Sequence, residues 1–297
     1  MANVISRGTM LPAAVTNEMI NLVRGKSSLA RLSQAAPVSF NGNELFTFNF
    51  DKEVDLVAEN GAKSNGGATV APVIIQPYKV EYGVRVSDEF MYAADEIRLQ
   101  YLRAFAEGFA AKVARGLDIM GFHGINPRTG NAASQLATNN FDAVVTNAAT
   151  GAAGTATLES AIAMVTGAEH DVTGVAISNA MRTALANEKR GTSSNEPLYP
   201  QLAWGAQPGE INGMPFDVNS TVAFGVATAL GYVGNFRDFF RWGYAQQIPI
   251  RVIEYGNPDN DATAGDLQGR NQVYLRGEAY IGWGILNPAA FARLVTQ

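Results

Sequence analysis

Ala58-Glu59-Asn60-Gly61-Ala62-Lys63, then Val80-Glu81-Tyr82-Gly83-Val84-Arg85-Val86, then the unbroken run from Ser87 to Gly124, is the stretch that decides the fold. From Phe90 the apolar residues fall at Ala94, Ile97, Tyr101, Phe105, Phe109, Val113, Leu117 and Met120. Every gap is three or four, the spacing of one face of an α-helix. At about 1.5 Å per residue the predicted helix is roughly 50 Å long. Ser87 is a good N-cap, and Asp88 and Glu89 suit the positive end of the helix dipole. Val86 and Met91 occupy the two positions of a hydrophobic staple, and Gly121 and Gly124 mark the stop. Gly108 and Gly116 permit some bending within it.

Working outward, Phe46, Phe48 and Phe50 alternate with Thr47 and Asn49, which predicts a strand with one aromatic face. From Asp51 the chain becomes acidic and then rich in Gly and Asn, and Lys63-Ser64-Asn65-Gly66-Gly67 supplies turn residues. Alternation resumes at Val80, Tyr82, Val84 and Val86. The expectation is a long hairpin whose two strands flank this tip. A rod preceded by a protruding hairpin suggests a building block before it suggests a catalyst.

Composition agrees. Of 297 residues, 16% are charged and 47% hydrophobic, enough for a substantial core under a surface of unusually low charge. Such a surface suits a chain that ends up against other subunits. A net charge of −5 argues against a dedicated nucleic-acid binder, which needs clustered Lys and Arg. The absence of cysteine rules out disulfides and thiolate metal sites. The N-terminus lacks the apolar core of a signal peptide. The uncharged run from Val218 to Phe236 contains Asn219, Ser220 and Thr221, so it reads as strands and loop rather than a membrane span.

Elsewhere the pattern is mixed. Leu11-Pro12 opens a short helix with Val15, Met19 and Leu22 on one face, followed by Leu29 and Leu32. Asn131 to Thr157 reads as surface loop or edge hairpin, and Gly174 to Ser178 as a buried strand preceding a helix with Met181 and Leu185. Ile248, Ile250, Val252 and Tyr255 lead into a polar loop, Gln272 to Ile285 returns as a strand, and Pro288 to Leu294 is expected to be a final short helix. Helices and strands mix without a regular βαβ repeat, which is an α+β class.

Catalytic motifs fail one by one. Arg24-Gly25-Lys26-Ser27 ends like a phosphate loop, but Ile20 stands where its first glycine belongs. Gly282-Trp283-Gly284 is followed by Asn287 at the third glycine position of a dinucleotide fingerprint. His123 and His170, the two histidines, read as surface residues on a loop and after a helix. Neither Ser160 nor Ser178 lies in a nucleophile elbow. Asp259, Asp261 and Asp266 share a loop out of register with calcium coordination, so a solvated loop is the reading. No cofactor and no metal are expected.

The chain resembles the major capsid proteins of tailed bacteriophages, those with the Hong Kong phage type of shell fold. The resemblance rests on short pieces in the family's order. These are Leu11-Pro12; Ala58-Glu59-Asn60-Gly61; Tyr78-Lys79-Val80; Val86-Ser87-Asp88-Glu89-Phe90; Gly121-Phe122-His123-Gly124 with Pro127 and Gly130; Asn212-Gly213-Met214-Pro215-Phe216; Gly234-Asn235-Phe236; Arg276-Gly277-Glu278; and Asn287-Pro288-Ala289-Ala290-Phe291. It implies an N-terminal arm (1–40), an E-loop hairpin with flanking strands (41–86), a P-domain (87–130 and 248–286) and an A-domain (131–247 and 287–297). It implies a non-enzymatic protein that self-assembles into pentamers and hexamers, closing an icosahedral shell around double-stranded DNA. Further partners would be a separate scaffolding protein, a portal and a decoration protein, with assembly in the bacterial cytoplasm and no membrane. Glu59, Asn60, Gly61 and Lys63 would be assembly contacts on the hairpin, and Lys63 could cross-link to Asn257, Asn260 or Asn271 of a neighbour. The alternatives are an encapsulin-type nanocompartment shell and, remotely, a soluble hydrolase with an unrecognised site.

Overall fold

The computed structural model describes residues 27–92, 95–191, 194–247 and 250–296. The helix expected from Leu11-Pro12, and with it Ala94 and Ile248, lies outside the described residues.

The body is organised on one strand, Gln272–Ile285, which pairs with neighbours along both edges. Pro77–Ser87 runs antiparallel to it from Gln272 opposite Ser87 to Gly282 opposite Pro77. On its other edge lie Phe240–Gln247 and Arg251–Ile253, and Gln34–Ala35 adds in parallel beside Phe240–Gln247. The helix Asp95–His123 covers one face of this sheet, after a short first turn at Glu89–Tyr92. Phe109, Val113 and Leu117 share a core with Ala279, Ile281 and Trp283. Leu102 and Ala106 form a smaller cluster with Ile250 and Leu275. The strands around Val273–Ile285 therefore do cover the helix stripe, with one correction. Tyr101 is exposed, and Leu102 and Ala106 are buried in its place. The row from Tyr101 through Phe105, Phe109 and Val113 to Leu117 advances by fours, and each step of four overshoots a 3.6-residue turn by about 40°. Over four steps such a row walks well round the helix, so it cannot face one sheet throughout.

The helix ends at Gly124 as expected, whereas Gly121 lies inside it. Gly124 takes a left-handed φ of +64° and its N–H donates to the Met120 carbonyl at 2.9 Å.

A second sheet has six strands in the order Ala148–Thr150, Phe291–Val295, Ala229–Gly234, Gly174–Ile177, Met214–Val218 and Glu210–Ile211. The helices Thr155–Gly167 and Asn179–Asn187 pack on it through Ala161, Val165, Met181 and Leu185. The expected final helix is corrected here. Pro288–Ala290 makes a single tight turn, and Phe291–Val295 is a strand between two partners. Its pairing to Ala229–Gly234 outweighs what local pattern suggested. The supposed surface loop from Asn131 is also corrected. Asn140 caps the short helix Phe141–Val144, and Phe141 is fully buried. Its ring lies 5.0–5.8 Å from those of Phe291, Tyr232, Phe122, Phe240 and Phe236, joining both sheets and the long helix in one aromatic cluster.

The hairpin differs from expectation in its pairing. Asn43–Phe50 pairs with Ala68–Ile75, Phe48 opposite Val70 and Asn43 opposite Ile75. The alternating Val80–Val86 stretch is a strand, but it belongs to the long sheet. The corner between hairpin and sheet rests on a floor without side chains. Gly282 and Gly284 of the long strand and Gly243 of its neighbour lie under Val38, Ile75 and the Ala36 and Gln76 carbonyls. A Cβ at Gly243 would collide with the Ala36 carbonyl, and one at Gly284 would lie 2.8 Å from the Ile75 side chain. A Gly243→Val substitution is expected to lower stability by about 1–3 kcal/mol through overpacking, read as a lower melting temperature of unassembled protein.

Candidate assembly interface

The two faces of the hairpin have different surroundings. Because the side-chain period of a strand is two, opposed residues of an antiparallel pair share a face. Leu45, Val73 and Ile75 are buried or half-buried, with Ile75 against Gly284. On the other face Phe46, Phe48 and Phe50 are 66%, 60% and 71% exposed, flanked by exposed Val70 and Ile74. Phe48 and Phe50 stack edge to face, 5.1 Å between centroids. A contiguous exposed apolar face of this kind marks an interaction surface.

The loop that closes the hairpin has a defined neck. Asp51 N–H donates to the Gly67 carbonyl at 3.1 Å, and Gly67 N–H returns to Asp51 Oδ1 at 2.6 Å. Lys52 Nζ donates to the Asn65 carbonyl at 3.1 Å. Beyond the neck Val54 and Leu56 are each 98% exposed. Asn60, at φ +66°, turns the chain, with Gly61 N–H donating to the Ala58 carbonyl at 2.8 Å. Glu59, Asn60, Gly61 and Lys63 are thus gathered on this loop, all exposed.

The three asparagines named with Lys63 lie at the polar loop after Tyr255. Asn257 accepts a bond from Arg85 Nη2 at 2.8 Å and donates to the Asp261 carbonyl at 3.0 Å, so both ends of its amide are engaged. Asn260 and Asn271 hold left-handed turns, and the Asn271 carbonyl accepts from Asp88 N–H at 3.0 Å. Arg85 clamps this loop. Its Nε and Nη2 reach the two oxygens of Asp259 at 2.8 and 2.5 Å, and that pairing holds the Asp259 carboxyl down to about 2. Among the described residues no group of three or more His, Asp and Glu could hold a metal ion.

Two buried polar centres escaped the sequence reading. Asp118 is fully buried on the long helix. It accepts bonds from Ser27 Oγ, Ser28 N–H at 2.9 Å, Leu29 N–H at 3.1 Å, Asn219 Nδ2 at 3.1 Å and Thr221 Oγ1 at 2.8 Å. Burial, which disfavours the charged form, outweighs these donors and pushes its carboxyl up to about 6. His123, expected at the surface, is buried. Its Nδ1 lies 2.7 Å from Asp142 Oδ2 and its Nε2 3.2 Å from the Thr221 carbonyl. Tyr232 Oη donates to Asp142 Oδ1 at 2.8 Å. Burial pushes the Asp142 carboxyl up, but the His123 bond and charge and the Tyr232 bond hold it below the usual range. His170 is half-buried, edge-on to Phe239, and its Nε2 is 3.1 Å from Asn287 Nδ2. The only advance signal for Asp118 was a lone acid inside the apolar run Leu117-Asp118-Ile119-Met120. These centres tie elements together. The hairpin, by contrast, carries the exposed aromatic face.

The family model described as the phage capsid family matches residues 7–296. The chain is 31% identical to a chain from a structure of Mycobacterium phage Ogopogo, with 92% of each covered and a TM-score of 0.76. A chain from Gordonia phage Cozz is 24% identical, over 92% of this chain and 87% of that one, at a TM-score of 0.75. A structure titled as the capsid of an empty GTA particle computed with C5 symmetry has the same fold at 15% identity, over 91% and 90%, with a TM-score of 0.62. No curated protein matches the chain. The chain belongs to the phage capsid family. It is a major capsid protein, a structural subunit of the virion shell, and the encapsulin-type alternative is not favoured. Among the described residues no helix is long and apolar enough to cross a membrane.

The sign of the Asp118 shift fixes a pH dependence. A carboxyl raised on folding contributes stability that is complete below its unfolded value, about 4, and is lost as pH rises through about 6. Asp118→Asn cannot titrate and leaves donors unmatched. Its melting temperature is expected to be lower than wild type at every pH, by a margin that narrows between pH 4 and 7.

Proposed function

We propose that copies of the chain form pentamers and hexamers that close an icosahedral shell around packaged double-stranded DNA, each hairpin lying across a neighbouring subunit. The observation that carries this reading is the exposed Phe46–Phe48–Phe50 face. Burying a phenylalanine side chain contributes about 1.5–3 kcal/mol, so covering three offers a substantial drive even after the entropy of association. Rotationally related copies meeting through unlike surfaces close into rings. Glu59, Asn60, Gly61 and Lys63 make contacts at the hairpin loop. The arm comprises residues 1–40, the E-loop 41–86, the P-domain 87–130 with 248–286, and the A-domain the remainder. Phe240–Gln247, at the end of the A-domain part, is hydrogen-bonded to the Gln272–Ile285 strand.

The role is structural rather than catalytic. A separate scaffolding protein and a portal assist assembly in the host cytoplasm, and a decoration protein is a further partner. The net charge of −5 suits a container that does not grip its contents. A Lys63–asparagine cross-link has Asn260 and Asn271 as its better candidates, because Asn257 is held by Arg85.

Negative-stain microscopy of the expressed protein is expected to show closed shells or rings of subunits; strictly monomeric protein at high concentration would overturn the reading. Phe48→Asp is expected to leave the circular dichroism spectrum unchanged and to reduce assembly at least tenfold, measured by sedimentation. Denaturing mass spectrometry of assembled particles decides the cross-link, since monomer mass alone removes it.

A further inference from the structure

Asparagine followed by glycine is open to attack by its own backbone, because glycine has no Cβ to keep its nitrogen from the preceding side chain. The chain has four such pairs, at Asn41, Asn60, Asn65 and Asn212. Their surroundings set them apart. Gly42 N–H donates to the Ser39 carbonyl at 2.9 Å and Gly61 N–H to the Ala58 carbonyl at 2.8 Å, so both nitrogens are held in turn bonds. Asn212 and Gly213, at φ +52° and +77°, make the tight turn between the paired strands Glu210–Ile211 and Met214–Val218. Closing a five-membered ring there requires the Asn212 backbone to leave the left-handed turn, which strand pairing resists.

Asn65-Gly66 has none of these restraints. Both residues are exposed, lie outside any helix or strand, and Asn65 is not left-handed. Among the described residues nothing bonds to the Asn65 carboxamide or accepts from the Gly66 N–H. The bond that this peptide group does make is with Lys52, whose Nζ donates to the Asn65 carbonyl at 3.1 Å. Its position matters chemically. The attacking atom is the Gly66 nitrogen after loss of its proton. The resonance that keeps a peptide planar then places the negative charge largely on the Asn65 carbonyl oxygen. A cation already bonded to that oxygen stabilises the charge as it develops. The neck bonds between Asp51 and Gly67 keep Lys52 and Asn65 facing across the loop, and the Asp51 carboxylate is itself occupied by the Gly67 N–H.

We propose that Asn65 is a site of spontaneous deamidation in the unassembled chain, accelerated by Lys52. Gly66 N–H gives its proton to solvent hydroxide, and the nitrogen attacks Asn65 Cγ. The bond from Cγ to the carboxamide nitrogen breaks, and that nitrogen leaves as ammonia after taking a proton from water. The cyclic imide takes up water at either carbonyl and opens to aspartate or isoaspartate, so water is consumed, ammonia is released and nothing is oxidised or reduced. Either product adds a negative charge to a loop that already carries Asp51, Glu53, Asp55 and Glu59. Isoaspartate also lengthens the backbone beside the Asp51–Gly67 neck. A chain that has waited unassembled therefore differs from a fresh one in the charge and length of this loop.

The test uses dilute protein, shown by sedimentation to be unassembled, held at mildly alkaline pH and mapped by peptide mass spectrometry. Labelling with an isoaspartyl methyltransferase marks the rearranged product. The peptide carrying Asn65 is expected to gain the mass of an amide-to-acid exchange at least tenfold faster than those carrying Asn41, Asn60 or Asn212. Lys52→Met is expected to slow that conversion several-fold, Lys52→Arg to restore it, and Gly66→Ala to suppress it. A Cβ at Gly66 meets only Asp51 Oδ1, at 3.8 Å, so this variant keeps its fold, and thermal melts check each variant before rates are compared. In urea, where the bond across the loop is lost, wild type and Lys52→Met are expected to convert equally. An unmodified Asn65, equal conversion at another of the four pairs, or a folded Lys52→Met protein that converts as fast as wild type would overturn the proposal. So would a Lys52→Met difference that persists in urea. Every sample is unassembled, so these outcomes are independent of whether the chain forms shells.

Discussion

The arrangement of the body depends on one buried carboxylate. Asp118 has no solvent contact, so every hydrogen bond it makes must come from protein, and its donors come from two segments far away in sequence. Ser27, Ser28 and Leu29 bring the start of the described chain onto the long helix; Asn219 and Thr221 bring the turn after the Met214–Val218 strand. Ser28 and Arg31 then bond to Asp217 at the end of that strand, so the same short helix is held from two sides. Removing one member leaves others unmatched in a dry environment, where an orphaned polar group costs about 1–3 kcal/mol. Thr221 extends the tie, since its carbonyl faces His123 and through it Asp142 and Tyr232.

With the body fixed in this way, the hairpin becomes the part whose own contacts are incomplete. Its inner face is anchored at Ile75 and Val38 on the glycine floor, and Phe40 packs edge-on against Tyr280. Its outer face has no such covering in the single chain. A two-stranded ribbon is at best marginally stable alone in water. The neck bonds between Asp51 and Gly67 hold the loop in shape, while the aromatic face stays exposed in the single chain.

What could be read from sequence was what local periodicity controls. The long helix, its glycine stop and the strand Gln272–Ile285 were visible because their patterns recur over many residues. The loop was visible from its Gly and Asn content, but the turn expected at Lys63–Gly67 falls at Asn60, which takes the left-handed φ. Choice of partner was not visible. Phe46–Phe50 and Val80–Val86 are both strands, yet each pairs elsewhere, because pairing is decided by burial that no short window contains. Phe291–Val295 became a strand for the same reason, taken up by Ala229–Gly234. Of the interface, the hairpin loop and its exposed residues were legible. Asp118 and His123 were not, since each acquires its meaning from partners about a hundred residues away in the chain.

The close spacing of acids and aromatics on the hairpin also has a kinetic side. Two free subunits approaching hairpin to hairpin meet first through Asp51, Glu53, Asp55 and Glu59, whose repulsion reaches over a screening length of about 8–10 Å. The attraction of the phenylalanine face acts only on contact. On the proposed assembly through this face, a long-range barrier ahead of a short-range well would keep dilute subunits apart while leaving the assembled state stable. Added salt shrinks the barrier more than the well, so ionic strength governs how soon the first stable cluster appears.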